Sequence, residues 1–302
     1  MANLREIKKR KDSVATTKQI TRTMEMVSSA KISRALARAQ KSEPYRAAIT
    51  DVMLTVASDV ESHKDSPLLD NPEHYDRALI IAVSSDRGLA GGFNTQVVRA
   101  VEKRIEHFRR HGATEVELIT CGRKVTEYFH AYPNVVMQVV GESDSPTLER
   151  AKVIANYVLD SFASDKLGRI DIIHFHAKNR VEQVLREERI LPLDPQAIRM
   201  SHGPRTDKKG PKRLSSSFEY MPSADHVLRK LIPSYVLTVV HQALLDSAAA
   251  EHGARRKAMH SATENATEII DSLNRTYNRV RQASITTEIN EIVGGAAALE
   301  EY

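Results

Sequence analysis

The 302-residue sequence has no tryptophan, one cysteine and only 15 aromatic residues, 6 Phe and 9 Tyr. The single cysteine, Cys121, excludes an internal disulfide framework and a cysteine-rich zinc site, and it indicates a reducing compartment. We expect its thiol to be a small buried apolar group. No run of 18 or more apolar residues occurs, so the sequence contains no ordinary transmembrane helix. Any association with a membrane would therefore depend on a partner.

Proline is absent from both long ends of the chain. All 11 prolines lie between Pro44 and Pro233, and no glycine precedes Gly88. A single compact enzyme domain normally has turns along its whole length, so this distribution argues against one. It predicts two long helical ends that flank a middle segment rich in turns.

Positive charge is concentrated at the N-terminal end. The formal net charge is +5, and residues 1–60 alone carry 12 Lys and Arg against 6 acidic residues. A basic helix attracts DNA, lipid headgroups and acidic protein surfaces alike, so charge does not choose among these partners. The basic clusters Lys8–Lys11 and Arg255–Lys257 are typical of solvated faces on long helices.

The N-terminal end predicts one unusually long helix. Residues 3–43 contain no glycine, proline or aromatic residue, and they are rich in strong helix formers. Apolar residues recur at intervals of three and four and predict one apolar face, formed by Ile20, Met24, Val27, Ile32, Leu36, Ala39, Ile49, Val52, Met53, Val56 and Val60. Pro44 either kinks this helix or begins a new segment. Residues 58–72 break the pattern and indicate a linker.

The C-terminal end predicts a second long helix. Small and apolar residues form a heptad seam of Met259, Ala262, Ala266, Ile269, Leu273, Thr276 and Val280. A second phase of apolar residues follows, at Ile285, Ile289, Ile292, Ala296 and Leu299. Neither helix can bury its stripe along its whole length against a compact domain, so we expect the two helices to pair antiparallel.

The middle segment alternates between strand and helix patterns. Residues 77–83 are a continuous apolar run, typical of a parallel strand that is buried on both faces. Further strands are expected near 115–120, 135–140, 171–176 and 184–193, with helices near 95–111, 123–131 and 145–163. The alternation predicts a small α/β domain with a mostly parallel sheet. The expected fold is a long antiparallel coiled coil of the N- and C-terminal helices with a central Rossmann-like α/β domain.

The same patterns predict four regions along the chain. Residues 1–60 form an N-terminal shaft helix and residues 73–200 form the central α/β domain. Residues 201–222 form a mobile basic loop and linker, and residues 223–302 form a C-terminal shaft helix.

The glycine-rich loop at 84–94 is the most enzyme-like feature, because it joins a strand to a helix where phosphate can bind. Its glycines match neither the P-loop nor the dinucleotide-binding pattern, so tight-turn geometry is the favoured interpretation. His174 and His176 alternate on one strand and share a face, but no third ligand follows at a suitable spacing. The sequence therefore predicts no catalytic residue, no cofactor and no metal.

Four segments, in order along the chain, resemble the gamma subunit of F-type ATP synthases. They are TKQITRTMEMVSSAK at 17–31, SDRGLAGGFN at 85–94, AEHGARRKAM with ATENA at 250–266, and RQASITTEINEIVGGAAAL at 281–299. The resemblance runs from residue 3 to residue 299. It implies an antiparallel helical shaft with a small α/β domain, which the residue patterns predict independently.

The resemblance implies a non-catalytic rotor of the central stalk. Such a subunit threads the hexamer of alpha and beta subunits, meets the epsilon subunit and the c-subunit ring, and couples transmembrane proton flow to ATP synthesis or hydrolysis in beta. No nucleic acid is implied as a partner. The chain would be a peripheral protein on the cytoplasmic side of the cell membrane, held there only through its partners.

The resemblance also implies contact residues near the C-terminus. Arg281 and Gln282 match family positions that hydrogen-bond a loop of the beta subunit, with Thr286 and Glu291 further along the same face. Arginine offers a bidentate fork, and glutamine offers both a donor and an acceptor. This chemistry suits a contact that is specific and yet breakable.

Five further positions carry expectations from the family. Met24 matches a position where coupling is sensitive to added charge, and its neighbours Arg22 and Lys31 are expected to reach acidic beta loops. Phe218 and Tyr220 precede the C-terminal helix, where the family approaches the c ring. The basic loop at 205–213 matches no family motif.

Two other functions fit parts of the sequence. The basic N-terminal helix would suit a coiled-coil nucleic-acid-binding or scaffold protein, which predicts DNA binding with a steep salt dependence. The loop at 84–94 would suit an α/β nucleotide enzyme, which predicts measurable heat on titration with ATP or NAD.

Overall fold

The computed structural model describes residues 2–59, 75–164, 167–193 and 220–300, and it contains the predicted alternation of strands and helices. The elements are α1 (Ala2–Asp59), β1 (Arg77–Val83), α2 (Phe93–Arg110), β2 (Glu115–Cys121), α3 (Arg123–Tyr128), β3 (Val135–Val139), α4 (Leu148–Ala163), β4 (Arg169–Ala177), β5 (Gln183–Leu191) and α5 (Ala224–Glu300). Residues 60–72 of the predicted linker and the loop at 205–213 lie outside the described residues.

The contacts divide the chain into two compact units. The terminal unit comprises Met1–Ser28 and Arg255–Tyr302, and the central unit comprises Ser29–Ala254. Helices α1 and α5 each contribute residues to both units.

The central unit is built on a five-stranded sheet in the order β3-β2-β1-β4-β5. The first four strands run parallel, and β5 pairs antiparallel with β4 at one edge. Strand β1 is flanked by β2 and β4, and its residues from Ala78 to Val83 are almost fully buried, as the continuous apolar run predicts. The sheet is therefore mixed but mostly parallel.

Both faces of the sheet are covered. On one face, Ala78, Ile80 and Ala82 of β1 join a core with the apolar side of α2. On the other face, Leu79, Ile81 and Val83 join a core with α4 and with segments of α1 and α5. The two long helices thus contribute directly to the hydrophobic core of the α/β domain.

The two long helices contain proline and glycine, residues that usually end a helix. Helix α1 spans 58 residues with Pro44 inside it, so Pro44 does not begin a new segment. Helix α5 spans 77 residues and contains Pro233 near its start and Gly294 and Gly295 near its end. At 1.5 Å per residue, α5 is on the order of 100 Å long.

The two helices run antiparallel within each unit, as the sequence predicts. In the terminal unit, the Thr21 and Thr263 hydroxyl oxygens lie 2.8 Å apart, and a ring nitrogen of His260 lies 3.1 Å from Glu25. In the central unit, Ser42 of α1 hydrogen-bonds Gln242 of α5.

The predicted apolar face of α1 is only partly correct. Ile32, Ala39, Ile49, Met53 and Val56 are buried, but Ile20, Val27 and Val52 are about half exposed. In the terminal unit, Thr21 and Ser28 are buried instead. This stretch of the seam therefore contains small hydroxyl residues in place of large apolar ones. The exposed apolar residues are left on a second face of the same helix.

Gly122 begins the turn between β2 and α3, and its φ of 98° is one that only glycine adopts readily. A Cβ at this position would also overlap the carbonyl of Ser84. We expect Gly122→Ala to lower the free energy of unfolding by about 2–4 kcal/mol, measured by urea denaturation. Gly141→Ala is the control, since Gly141 has a similar φ of 94° but no neighbour within 4 Å of the new Cβ. Equal losses in the two variants would contradict the overlap.

Candidate functional site

The C-terminal end of α5 carries an exposed apolar stripe. The Thr21–Thr263 contact sets a register that brings Leu4 of α1 level with Val280 of α5. Residues 285–296 extend beyond that point, and all of them are exposed. Exposure is 47% for Ile285, 53% for Ile289 and 72% for Ile292. A continuous apolar stripe of this kind on a helix is typical of a protein-binding surface.

Helical geometry distributes the four predicted contact residues around α5 and does not place them on one face. Arg281, Gln282 and Thr286 border the apolar stripe, and all three are exposed. Glu291 follows Gln282 by nine residues, which is about two and a half turns, so it lies on the opposite side of the helix. The expectation that Glu291 shares a face with Gln282 is therefore wrong. Ser284 and Glu288, which hydrogen-bond each other, border that opposite side.

Two of the predicted α1 residues are accessible. Arg22 is exposed and Met24 is half-buried. Ile20 and Val27 lie one turn on either side of Met24 and are about half exposed. Met24 therefore belongs to a second exposed apolar patch, on helix α1 of the terminal unit.

Lys31 has a partner inside the chain. Its ammonium forms an ion pair with Asp144, in the loop between β3 and α4. His252 of α5 also contacts Asp144, at 3.2 Å, and Arg38 of α1 donates hydrogen bonds to Ser145 and to the Asp144 carbonyl. The structure thus brings Lys31 and His252, from two of the family-like segments, to one acidic residue that the sequence analysis missed. No pattern marks Asp144, because it is an isolated carboxylate in a loop.

The electrostatics of this cluster favour the charged form of Asp144. Burial alone would raise the pKa of its carboxyl, but the hydrogen bond from Lys31 and the charge of His252 outweigh burial and lower that pKa. A lowered pKa in the folded state stabilises the fold above the unfolded pKa of about 3.9. The contribution is lost as the pH falls through the folded pKa.

We expect Lys31→Met to lower the free energy of unfolding by about 1 kcal/mol at neutral pH, because the pair is partly solvent-exposed. The difference from the wild type should shrink as the pH falls below about 4, since Asp144 then becomes protonated. Urea denaturation at pH 7 and pH 3 measures both values. Lys41→Met, at an exposed position of the same helix, is the control. An undiminished difference at pH 3 would show that Asp144 is not the relevant partner.

Asp86 holds the glycine-rich loop in place through hydrogen bonds within the protein. Its carboxylate accepts hydrogen bonds of 2.9 Å from the backbone N–H groups of Arg123, Gly141 and Ser143. Burial would raise the pKa of this carboxyl, but these hydrogen bonds lower it. The loop therefore ties together the carboxyl ends of three parallel strands. It also fixes the segment that presents Asp144.

The carboxyl ends of β1, β2 and β3, beside the glycine-rich loop, enclose only a small cavity. It has a volume of about 20 Å³ between Ser84, Gly122 and Ser143, with room for about one water molecule. Leu89 and Gly91 adopt positive φ angles, as expected of a tight turn. These observations support the tight-turn interpretation over nucleotide binding.

The remaining candidate groups have structural partners. Cys121 is buried as predicted, and burial raises the pKa of its thiol to about 12. His174 lies 3.9 Å from Glu188, while His176 lies 2.6 Å from Asp246 of α5. Among the described residues, no three His, Cys, Asp or Glu side chains gather as a metal site.

Of the two residues expected near the c ring, the structure describes only Tyr220. Phe218 lies outside the described residues. Tyr220 is half-buried just before α5 and packs against the core on the α4 side of the sheet. Within the described ranges, no helix is long and apolar enough to span a bilayer.

Solved structures of similar fold are rotor and central-stalk chains of mitochondrial ATP synthases. A chain from the Euglena gracilis OSCP/F1/c-ring assembly is 16% identical, with a TM-score of 0.66, and the match covers 99% of this chain and 95% of that one. A chain from the Euglena rotor is 16% identical, with a TM-score of 0.61 over 94% of this chain and 99% of that one. A Tetrahymena thermophila central stalk/c-ring chain is 21% identical, with a TM-score of 0.58 over 80% and 99% of the two chains. At these identities the likeness shows the fold.

The family assignment comes from the sequence profile of the ATP synthase family, which matches residues 3–299. This range includes both long helices, the α/β domain and all four of the family-like segments. The chain belongs to the gamma-subunit family of ATP synthases and is a non-catalytic rotor subunit of the central stalk.

Proposed function

We propose that the exposed end of α5 is the surface through which this chain contacts the catalytic hexamer. The observation that carries the proposal is the apolar stripe at Ile285, Ile289 and Ile292, which lies beyond the end of the helix pair. Contact with a ring of alpha and beta subunits would bury this stripe. As the helix turns, the stripe would face each subunit of the ring in succession.

Arg281, Gln282 and Thr286 supply the polar part of this surface. An arginine fork and a glutamine amide can hydrogen-bond a beta-subunit loop specifically, and water can replace those bonds when the loop moves away. Glu291 lies on the opposite side of α5 and would contact a different subunit of the ring. A helix enclosed by a ring can use both sides at once.

Arg22 and Met24 form a second proposed contact, on α1. Exposed ion pairs between a basic helix and acidic loops are worth about 0 to 1 kcal/mol each, so they can exchange during rotation. Lys31 plays a different part in this proposal. Because it already pairs with Asp144, it would act by holding the loop at 141–145 in place.

The relatives of similar fold were solved with F1 and with the c ring, and we extend these partners to this chain together with epsilon. Tyr220 and Phe218 would lie near the c ring. The shaft would comprise residues 1–60 and 223–302, joined by the α/β domain at 73–200 and the linker at 201–222. The chain would be peripheral to the cell membrane on its cytoplasmic side, through these partners alone.

Co-purification tests the proposal. A tagged full-length chain should bring alpha and beta subunits with it, together with ATPase activity that the isolated chain lacks. Appreciable ATP turnover by the isolated chain would overturn the rotor function. Steeply salt-dependent DNA binding without hexamer subunits would favour the nucleic-acid-binding alternative.

A further inference from the structure

A continuous chain of hydrogen bonds links α1, α5 and β4 inside the central unit. The Ser42 hydroxyl of α1 donates to the side-chain oxygen of Gln242 on α5. The Gln242 amide donates to Oδ1 of Asp246 at 3.0 Å and, more weakly, to the Ala39 carbonyl of α1 at 3.4 Å. Oδ2 of Asp246 lies 2.6 Å from Nδ1 of His176 on β4.

The buried members of this series lie beside the hydrophobic core, and the buried Arg46 of α1 is a charged neighbour of Asp246. Gln242 is 5% exposed and Asp246 is also 5% exposed. Nearby positions of α5 carry Val239, Val240 and Ala243, which belong to the hydrophobic core. Buried ionic and polar groups often contribute little net stability compared with apolar residues of similar size. Stability alone therefore gives no clear reason for a polar chain at this position.

Apolar and polar contacts resist displacement differently. Hydrophobic contacts depend on buried area and not on direction, so they fix the relative position of two elements less specifically than hydrogen bonds do. Hydrogen bonds lose strength steeply with distance and angle, so they oppose a sideways shift of one element against another. When torque acts on the α/β domain of a rotor, the domain pushes sideways against both long helices, and the contacts between them must resist that force.

We propose that the chain His176–Asp246–Gln242–Ser42 is a torque clamp that fixes the sheet to α5 and α5 to α1. This inference rests on the rotor function. These residues touch neither nucleotide nor ion, and they act by positioning the shaft against the α/β domain. Removing the clamp makes the rotor more compliant in torsion and leaves its fold intact.

Torsional stiffness of single complexes tests the clamp. In assembled complexes with the hexamer fixed to a surface and catalysis arrested by a nucleotide analogue, a bead on the α/β domain reports the angular spread of the rotor. Gln242→Leu preserves volume and removes the links to Ser42 and Asp246, so the angular variance should rise at least about twofold. Thr238→Val is the control. Thr238 is nearly as buried on the same helix, but its hydroxyl bonds the Ser234 carbonyl of that same helix.

An exchange of the His176 and Asp246 side chains separates the clamp from a general loss of structure. His176→Asp and Asp246→His should each widen the angular spread, and the double variant should return it toward the wild-type value. The clamp proposal would be overturned if the angular spread of the rotor were unchanged in Gln242→Leu, or if Thr238→Val widened it equally. If Gln242→Leu fails to fold, Asp246→Asn replaces it, with widening again expected. Failure of the wild-type chain to assemble with the hexamer would instead contradict the rotor function.

Discussion

Replacing Arg281 and Gln282 together by alanine should reduce both ATP hydrolysis and ATP-driven ion pumping of the assembled complex by at least about tenfold. Hydrogen bonds to charged groups contribute about 1.5–3 kcal/mol each, and about 1.4 kcal/mol corresponds to a factor of ten. Both side chains are exposed in the free chain, so the substitution removes contacts with partners and not internal packing. Rates are measured on reconstituted vesicles, by phosphate release and by a pH-sensitive dye.

Arg275→Ala is the matched control, because Arg275 is exposed on the same helix and lies outside the family-like segment at 281–299. It should leave both rates within about twofold of the wild type. The thermal unfolding of the isolated chain should be the same in all variants. A double variant with normal hydrolysis and pumping would remove Arg281 and Gln282 from the coupling contact.

A single charge within the apolar stripe should prevent stable assembly. Ile289→Asp places a carboxylate where the proposed contact with the hexamer is apolar, and an unpaired buried charge costs several kcal/mol. We expect the yield of co-purified hexamer to fall at least about a hundredfold. The stability of the isolated chain should change by less than about 0.5 kcal/mol, since Ile289 is exposed.

Thr287→Asp distinguishes the two sides of the helix. Thr287 is exposed, lies two residues before Ile289 and points to a nearly opposite side of α5. That side carries Glu291, whose proposed contact with the ring is polar and not apolar, so the same charge there should reduce the yield of hexamer much less. Equal losses in the two variants would show that the apolar stripe is not the surface that holds the ring.

The sequence predicts the α/β domain well, because its signals are local. The apolar run at 77–83 has to be buried on both faces, and the structure places it between two neighbouring strands with helices on both sides. The glycine-rich loop likewise forms the tight turn that its residues predict. Asp144 could not be predicted, because its role depends on Lys31 and His252, which are distant in sequence.

The long helices show where hydrophobic periodicity becomes ambiguous. A rotor helix has one face for its partner helix and others for surrounding subunits, so an apolar residue can belong to either. Ile20 and Val27 fit the periodicity of a buried face and yet are exposed, whereas Thr21 and Ser28 are buried and Thr21 contacts Thr263 of α5. Ile285 and Ile289 lie on an exposed face for a related reason, since no α1 residue lies level with them in the described chain.

Rotation of this chain within a fixed hexamer is the most direct test of a rotor function. Complexes assembled with the wild-type chain are attached to a surface through the hexamer, and a bead is attached to the α/β domain. With ATP, the bead should rotate in one direction with three stops per turn, one for each equivalent beta site. Steady ATP hydrolysis by such complexes with a stationary bead would contradict the central-stalk rotor.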